Sequence, residues 1–314
     1  MWGWVLAAPL LSAAGTWFAR RYALRRRLID EPGARRSHAV ATPRGGGAGP
    51  VLAVAVLIAG LGLAGQWPGD WRWSLGGLLA VAGIGAWDDH RSLGAGIRLA
   101  THLLAGAALA AGVGLWGEPV QGVAVVLAVA VAANVWNFMD GIDGIATTQA
   151  LIVALAAVGL GEGDASLRAL AFALAFAAFV PFNFPRARIF LGDVGSGALG
   201  YALVLLALLV PARGAVPAAL LLLFPAAAFL VDAAATLAMR MVQGERWWTP
   251  HTRHLYQAAA RRFGHVAVTL AYAAWSLAGC LLAWALQHRG MGLIMASLAL
   301  WYMAAAGLWA GVQH

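Results

Sequence analysis

The densest group of polar residues lies in the stretch NVWNFMDGIDGIA, residues 134–146, which separates two apolar runs. Asn134, Asn137 and Asp140 are spaced by three residues and would share one face of a helix. Asp143 is a candidate N-cap for the helix that follows, which is the alternative to a functional role. Capping alone does not require four polar residues at this spacing, so the stretch predicts a ligand-binding junction at a helix end.

Two adjacent carboxylates, Asp88 and Asp89, end another apolar run in the stretch WDDHRSL. Helix C-termini carry partial negative charge and neighbouring carboxylates repel each other, so this pair requires positive compensation. Nearby basic side chains, His90, Arg91 and Arg98, could provide it as ion pairs. The functional alternative is a pair that holds a divalent cation or acts as a catalytic base.

A third stretch, FNFPRARIFLGDVGSGALG, combines Asn183 with Asp193 in a Gly-Asp-Val-Gly-Ser turn. The turn opens a predicted helix, whose free N–H groups could bind a phosphate oxygen. Asp193 beside that phosphate could hold Mg²⁺, which prefers carboxylate, water and phosphate oxygens. A plain N-cap with glycine turns is the alternative.

Two polar loops complete the set. In TPHTRHLYQ, the side chains of His251, Arg253 and His254 are suited to contact a diphosphate, although a solvated loop would look the same. In RRSHAVATPRGGGAG, with Arg44 as the candidate substrate contact, the glycines could bind phosphate through backbone N–H groups. The alternative is a flexible loop whose arginines set membrane topology.

The elements that must position these stretches are predicted from composition. The 314 residues are 62% hydrophobic and 11% charged, whereas soluble domains are about half apolar and a quarter charged. The apolar residues form blocks of membrane-spanning length, which predicts an all-α polytopic integral membrane protein, a single transmembrane catalytic domain over residues 1–314. About eleven spans are predicted: 2–19, 47–66, 73–87, 97–114, 119–137, 145–160, 167–184, 196–211, 215–239, 264–286 and 291–312.

The arginines predict the orientation. Alternating eleven spans places 17 of the 21 arginines on one side, which the positive-inside rule assigns to the cytoplasm, with the N-terminus outside. The sequence has no lysine and the arginines lie between spans, so the positive net charge does not predict nucleic-acid binding. Most aspartates of the polar stretches fall on the same side, and Asp232 lies within a span, about 12 Å from its cytoplasmic end. This distribution predicts an active site at the cytoplasmic membrane surface.

Taken in order, the five stretches resemble the motifs of the polyprenyl-phosphate N-acetylhexosamine-1-phosphate transferases, glycosyltransferase family 4, over residues 30–257. The resemblance implies a multi-pass enzyme of the bacterial inner membrane with a periplasmic N-terminus. It implies transfer of a UDP-activated N-acetylhexosamine 1-phosphate to undecaprenyl phosphate with release of UMP. Mg²⁺ is the implied cofactor, with Mn²⁺ as the alternative ion, and a homodimer is left open. Phosphoryl transfer depends mainly on positioning and charge neutralisation, which suits these carboxylates and basic groups.

The resemblance also implies roles for individual residues. Catalytic roles fall to Asp88, Asp89 and Asp140, and Mg²⁺ coordination to Asp193 with Asp88. Substrate-binding roles fall to a larger set: Asn137 and Asp143 in the nucleotide site, Asn183 near the nucleoside, His251, Arg253 and His254 in a sugar-recognition loop, and Arg44 and Asp232.

Two departures indicate the branch that initiates O-antigen chains of lipopolysaccharide. The late loop has HTRHLYQ where the peptidoglycan enzyme has a run of histidines, and the first loop has no lysine. The expected sugar is GlcNAc or a 6-deoxy sugar such as FucNAc or QuiNAc, with phospho-N-acetylmuramoyl-pentapeptide transfer as the alternative. An ion-coupled secondary transporter is the rival from another class, because Asp232 lies within a span. The polar residues collect in loops rather than at the midplane and the sequence shows no internal repeat, which argues against transport.

Overall fold

The computed structural model describes residues 1–31, 40–211, 216–246, 249 and 251–313. Within these ranges the chain folds into helices, joined by a short 3-10 helix (Leu115–Gly117) and one antiparallel ladder of β1 (Ile29–Asp30) with β2 (Thr42–Pro43). The helices are α1 (Trp2–Arg26), α2 (Ala48–Leu63), α3 (Trp71–His90), α4 (Ala95–Gly112), α5 (Pro119–Phe138), α6 (Ile145–Leu160), α7 (Gly163–Asn183), α8 (Asp193–Leu209), α9 (Ala218–Val242), α10 (Leu255–Phe263), α11 (His265–Leu286) and α12 (Met291–Gln313).

The helices support the predicted membrane class. Each of the eleven predicted spans overlaps one helix, and α10 is an additional helix inside the predicted late loop. Within the described part of the chain, six helices are long and apolar enough to cross a membrane, namely α4, α5, α7, α9, α11 and α12. Helices α2, α6 and α8 are apolar but shorter. The chain is therefore a helical multi-pass membrane protein, and the number of eleven spans stays a prediction.

Close backbone contacts bring three helices together around the start of α8. A Cβ atom added to Gly85 of α3 would lie 2.1 Å from the carbonyl oxygen of Asp193, and one added to Gly200 of α8 would lie 2.4 Å from the carbonyl oxygen of Ala132. No side chain fits at either glycine, so α8 packs directly against the backbones of α3 and α5. The C-terminal ends of α3 and α5 consequently lie beside the N-terminus of α8.

The glycine-rich part of the first loop is packed against this same region. The Gly46 N–H donates to the Phe190 carbonyl (2.9 Å) and the Gly47 N–H donates to the Leu191 carbonyl (2.8 Å). A Cβ added to Gly47 would lie 2.2 Å from the Cα of Gly195. These two glycines thus permit close backbone packing and their N–H groups are occupied, while phosphate binding by the rest of the loop stays a prediction. Residues 35–39 of the same stretch lie outside the described residues.

Candidate active site

Five polar side chains converge where α3 and α5 end and α8 begins. Asn137, in the last turn of α5, donates from Nδ2 to Oδ1 of Asp193 (2.8 Å) and to Oγ of Ser196 (3.0 Å). Arg98, in the first turn of α4, lies between two carboxylates, with Nη1 2.9 Å from Oδ2 of Asp88 and 3.5 Å from Oδ2 of Asp193. The structure therefore brings Asp88, Asn137 and Asp193 together, and it confirms Arg98 as an ion-pair partner of Asp88.

Asp88 and Asp193 are electrostatically coupled. Burial works against ionisation of Asp88, but a hydrogen bond with Asp193, the Leu93 N–H and the charge of Arg98 lower its pKa. Burial, followed by the proximity of Asp88 and Asp89, raises the pKa of Asp193 well above its ordinary value. The proximity of these two carboxylates therefore disfavours ionisation of both, a cost that a bound cation would relieve.

Asp89 plays a different part from its neighbour. It is 4% exposed, and its carboxylate accepts hydrogen bonds from the N–H groups of Asp193 and Val194, both at 3.1 Å. Its side chain thereby caps the N-terminus of α8 from another helix. The pKa of Asp89 is raised by burial, and the two N–H groups oppose that shift. These N–H groups are occupied, so the interpretation that they bind a phosphate oxygen is wrong.

Arg44 reinforces this cap. One of its Nη atoms donates to the backbone carbonyl of Asp89, and its Nε lies 3.9 Å from the Asp89 carboxylate. Arg44 therefore belongs to the same cluster, and direct contact with a substrate stays a prediction.

Asp140, in the loop after α5, is the least engaged of the carboxylates. Among the described residues, none donates a hydrogen bond to its side chain. Burial and then the charge of Asp89 raise the pKa of Asp140 to about 8. A carboxyl group that titrates near neutral pH is suited to general acid–base chemistry.

Asn183 and Asp143 hold neighbouring loops in place. Asn183 is buried; its Oδ1 accepts from the Gly144 N–H (3.0 Å) and its Nδ2 donates to the Ile189 carbonyl (3.1 Å). Asp143 does not cap α6, because the N-cap is Gly144 with no side-chain cap, so that alternative is wrong. Its Oδ2 lies instead 3.3 Å from Nδ1 of His265, at the start of α11. Nucleoside contacts of Asn183 and Asp143 stay predictions.

Asp232 holds the start of α10 through hydrogen bonds. Its carboxylate accepts hydrogen bonds from the N–H groups of Leu255 (2.8 Å) and Tyr256 (3.1 Å), and from the hydroxyls of Tyr272 (2.8 Å) and Thr236 (3.1 Å). Four intramolecular donors give this buried carboxylate a structural function. Direct contact of Asp232 with a substrate stays a prediction.

The histidines of the late loop are held beside the end of α5. His254 is buried and stacks on Tyr256 and on Phe138, with ring centroids 5.7 and 6.4 Å apart. The His251 ring lies 4.8 Å from that of His254, and burial followed by the charge of His254 lowers the pKa of His251 to about 4. Arg253 is exposed and donates to Oε1 of Gln243 (2.8 Å). The loop can therefore present a neutral imidazole and a guanidinium to a ligand.

Sequence reasoning missed several of these side chains. His102 lies inside α4, His265 begins α11, and Arg240 is buried near the end of α9, where its Nε lies 2.9 Å from Glu245. The sequence does contain a sign of these residues, because each is an ionisable residue inside or next to an apolar run. In membrane proteins such a residue usually has a specific partner.

The donor set fits a magnesium ion that its substrate completes. No group of three or more His, Cys, Asp or Glu side chains suited to hold a metal occurs within the described ranges. Asp88 and Asp193 supply two carboxylates, and proteins commonly bind Mg²⁺ through one or two carboxylates with water and substrate phosphates. These two carboxylates are the side chains that would hold such an ion.

Comparison with known proteins agrees with these motifs. Residues 71–211 match the family described as Glycosyl transferase family 4. The chain is 32% identical over 231 residues to the decaprenyl-phosphate N-acetylglucosaminephosphotransferase of Mycolicibacterium smegmatis, an alignment that covers 62% of this chain but only 56% of that protein. It is 27% identical over 300 residues to the undecaprenyl-phosphate alpha-N-acetylglucosaminyl 1-phosphate transferase of Yersinia pestis, covering 86% and 81% of the two chains.

A third relative matches only locally. The phospho-N-acetylmuramoyl-pentapeptide-transferase of Moorella thermoacetica is 44% identical over 80 residues, which cover 24% of this chain and 25% of that protein. Together these matches confirm the resemblance that the five stretches indicate.

Proposed function

We propose that this chain, whose residues 71–211 match the family described as Glycosyl transferase family 4, transfers an N-acetylhexosamine 1-phosphate from a UDP-sugar to a polyprenyl phosphate. The observation that carries this proposal is the Asp88–Asp193 pair with Arg98 between the two carboxylates. The carboxylates are suited to a divalent cation and the guanidinium to a phosphate oxygen. Both groups lie at helix ends of a membrane protein, where a lipid head group and a soluble nucleotide can meet.

The proposed reaction is a phosphoryl transfer. An oxygen of the lipid phosphate forms a bond to the β-phosphorus of the UDP-sugar. The bond from that phosphorus to the bridging oxygen breaks, and UMP leaves with the electron pair. Mg²⁺ held by Asp88 and Asp193, with Mn²⁺ as the alternative ion, would neutralise the diphosphate charge.

The chain's own residues have separate parts in this scheme. Arg98 compensates the carboxylate pair and orients a phosphate. Among the described residues none donates a hydrogen bond to the side chain of Asp140, whose pKa is about 8, so its ionised form can take a proton from the attacking phosphate. Asp89 is a positioning residue, since it holds Asp193 through the first turn of α8.

The proposed acceptor is undecaprenyl phosphate and the proposed donor carries GlcNAc or a 6-deoxy N-acetyl sugar, as a first step of O-antigen synthesis. The Yersinia pestis relative, whose name specifies undecaprenyl phosphate and N-acetylglucosamine, supports this choice. Muramoyl-pentapeptide transfer is kept as the second candidate because of the local 44% identity to the Moorella thermoacetica protein. The transporter hypothesis loses its motivating observation, because Asp232 is engaged by four intramolecular donors.

The proposed location is the bacterial inner membrane, with the site on the cytoplasmic side and the N-terminus in the periplasm. The arginine distribution supports this orientation. A homodimer is compatible with it and is tested by the mass of the purified protein in detergent.

The experiment is a UMP-release assay on protein purified in detergent. The mixture contains undecaprenyl phosphate, Mg²⁺ and one UDP-N-acetyl sugar at a time, including GlcNAc, FucNAc, QuiNAc and muramoyl-pentapeptide. We expect UMP with one of the first three sugars and none after chelation of the metal by EDTA. UMP release only from the muramoyl donor would overturn the O-antigen proposal, and folded protein that releases no UMP with any donor would overturn the transfer proposal.

A further inference from the structure

A small polar cavity lies on the membrane side of the carboxylate pair, between α3, α4, α5 and α8. Its polar lining consists of Arg98, His102, Asn134, Asn137 and Asp193. The volume of this cavity is about 10 Å³. That is the room of one water, and a single water is stable in a buried cavity when it finds two to four polar partners.

Asn134 fixes the protonation of the histidine in this cavity. Nδ2 of Asn134 donates to the Ala130 carbonyl (2.7 Å), and a carbonyl oxygen accepts only from the nitrogen end of the amide. The same Nδ2 lies 3.2 Å from Nδ1 of His102, so Nδ1 must be the acceptor. His102 is therefore neutral and carries its proton on Nε2.

The proton on Nε2 points into the cavity. A Cβ added to Gly197, which also lines the cavity, would lie 3.8 Å from Nε2. His102 is 6% exposed, and no described residue accepts a hydrogen bond from Nε2. Because His102 lines the cavity, a water oxygen in the cavity is the acceptor within reach of this proton.

We propose that Asn134 and His102 form a positioning pair that holds one ordered water, which accepts from Nε2 of His102 and donates to the carboxylate of Asp193. A histidine in the same place that merely fills the core would bind no water.

The proposed water would fix the orientation of Asp193 without adding charge. Asn137 already donates to Oδ1 of Asp193, and Arg98 lies near Oδ2. A neutral donor on the membrane side would keep this carboxylate turned towards Asp88. The consequence for catalysis rests on the proposed function, whereas the water and the tautomer do not.

The first test is ¹⁵N NMR of histidine-labelled protein in lipid nanodiscs at pH 7. The chain has eight histidines, and the signals of His102 are those that disappear in His102→Gln. We expect a neutral ring with Nε2 protonated, and loss of this single tautomer in Asn134→Leu. A proton on Nδ1 in the wild type, or an unchanged spectrum in Asn134→Leu, would overturn the pairing.

The second test fills the cavity without removing a polar group. In Gly197→Ala the new methyl group would lie 3.8 Å from Nε2 and 3.3 Å from Cγ1 of Val81, so it fits with a small shift and takes the place of the water. The matched control is Gly83→Ala on α3, where an added Cβ meets nothing within 4 Å. We expect a magnetisation-transfer signal between water and the Nε2 proton in the wild type and in Gly83→Ala, and its loss in Gly197→Ala.

The activity readout separates the two proposals. Residues that orient a metal ligand typically change activity or metal affinity about 10–100-fold, so we expect UMP release to fall by about that factor in Gly197→Ala and not in Gly83→Ala. Absence of the water signal in the wild type, or its persistence in Gly197→Ala, would overturn the water site. A wild-type protein that shows the water signal but releases no UMP with any donor would sink the proposed function and leave the water site standing.

Discussion

Two buried aspartates, Asp89 and Asp232, make the same local structure in two regions of the molecule. Each accepts two backbone N–H groups at the start of a helix that follows later in the chain, α8 for Asp89 and α10 for Asp232. A carboxylate at a helix N-terminus satisfies donors that the helix leaves unpaired and interacts favourably with its dipole. Both aspartates thus attach one segment of the candidate site to a membrane-embedded helix.

The surroundings of the two caps differ in charge. Near Asp89 lie three further carboxylates, Asp88, Asp140 and Asp193, while the neighbouring cations are Arg44 and Arg98. Burial, and then this excess of negative charge, raises the pKa of Asp140 and of Asp193.

Near Asp232 the other donors are hydroxyl groups, and the stacked aromatic rings of His254 and Tyr256 surround the helix start. The Asp232 carboxylate therefore already has four hydrogen-bond donors within the chain. This difference supports the proposal that phosphate chemistry takes place in the α3–α5–α8 region and substrate recognition in the α9–α10 region.

The largest expected effect comes from Asp193→Asn, which removes a proposed metal ligand from the α8 region. We expect UMP release to fall on the order of 10³-fold or more, since the charge on the transferred phosphoryl group would no longer be neutralised. The matched control is Asp164→Asn, which removes an exposed aspartate from the first turn of another helix, α7. UMP release at the wild-type rate in Asp193→Asn would show that the carboxylate cluster is not the reaction centre.

The adjacent residues Asp88 and Asp89 should respond differently to the same change. In Asp88→Asn we expect loss of UMP release with unchanged thermal stability in detergent, because its repulsion with Asp193 is relieved. In Asp89→Asn we expect a lower melting temperature as well, because an amide can accept only one of the two N–H bonds and the lost bond costs about 1–3 kcal/mol.

Melting curves and UMP release on the same preparations measure both effects. An Asp89→Asn protein that is inactive but as stable as the wild type would indicate that Asp89 acts on the substrate rather than as a cap. Equal destabilisation by both variants would remove the distinction between the two aspartates.

The sequence predicted the helical membrane class and the residues of the α8 region, because carboxylates and amides are conspicuous in an apolar chain. It did not predict which residues touch ligand and which hold the fold. The sequence does not show the donors that the Asp89 carboxylate accepts from, because these N–H groups, of Asp193 and Val194, are 104 and 105 residues away in the chain. His102 was overlooked because a single histidine in an apolar run has no sequence partner, and Asn134 lies 32 residues further on.

A moderate effect is expected from Asp232→Asn in the α10 region. The amide cannot accept from all four donors, so we expect α10 to detach more often and the loop to become more sensitive to trypsin at Arg253, Arg261 and Arg262. Loss of a capping carboxylate costs about 0.5–2 kcal/mol. The matched control is Asp70→Asn, which changes the N-cap of α3, where the side chain accepts from the Arg72 N–H of its own helix (3.0 Å).

Limited proteolysis, with products identified by mass spectrometry, compares the trypsin sensitivity of Asp232→Asn with that of Asp70→Asn. In the UMP-release assay of Asp232→Asn, we expect KM for the UDP-sugar to rise more than kcat falls. A larger loss of kcat than of affinity would place Asp232 with the reaction centre and contradict the division between the two regions.

The smallest expected effect comes from Tyr256→Phe, which tests the connection between the two regions. The Tyr256 hydroxyl donates to the carbonyl of Phe138 at the end of α5 (3.0 Å), so that α10 rests on the loop carrying Asp140. Removing one such hydrogen bond should lower the free energy of unfolding by about 0.5–1.5 kcal/mol, while the ring keeps its stacking on His254. Tyr22→Phe is the control, since its exposed hydroxyl contacts His90 at 3.3 Å. Tyr256 belongs to the α9–α10 region, outside the proposed reaction centre. If Tyr256→Phe reduced UMP release as strongly as Asp193→Asn, the two regions would have to act as one catalytic unit.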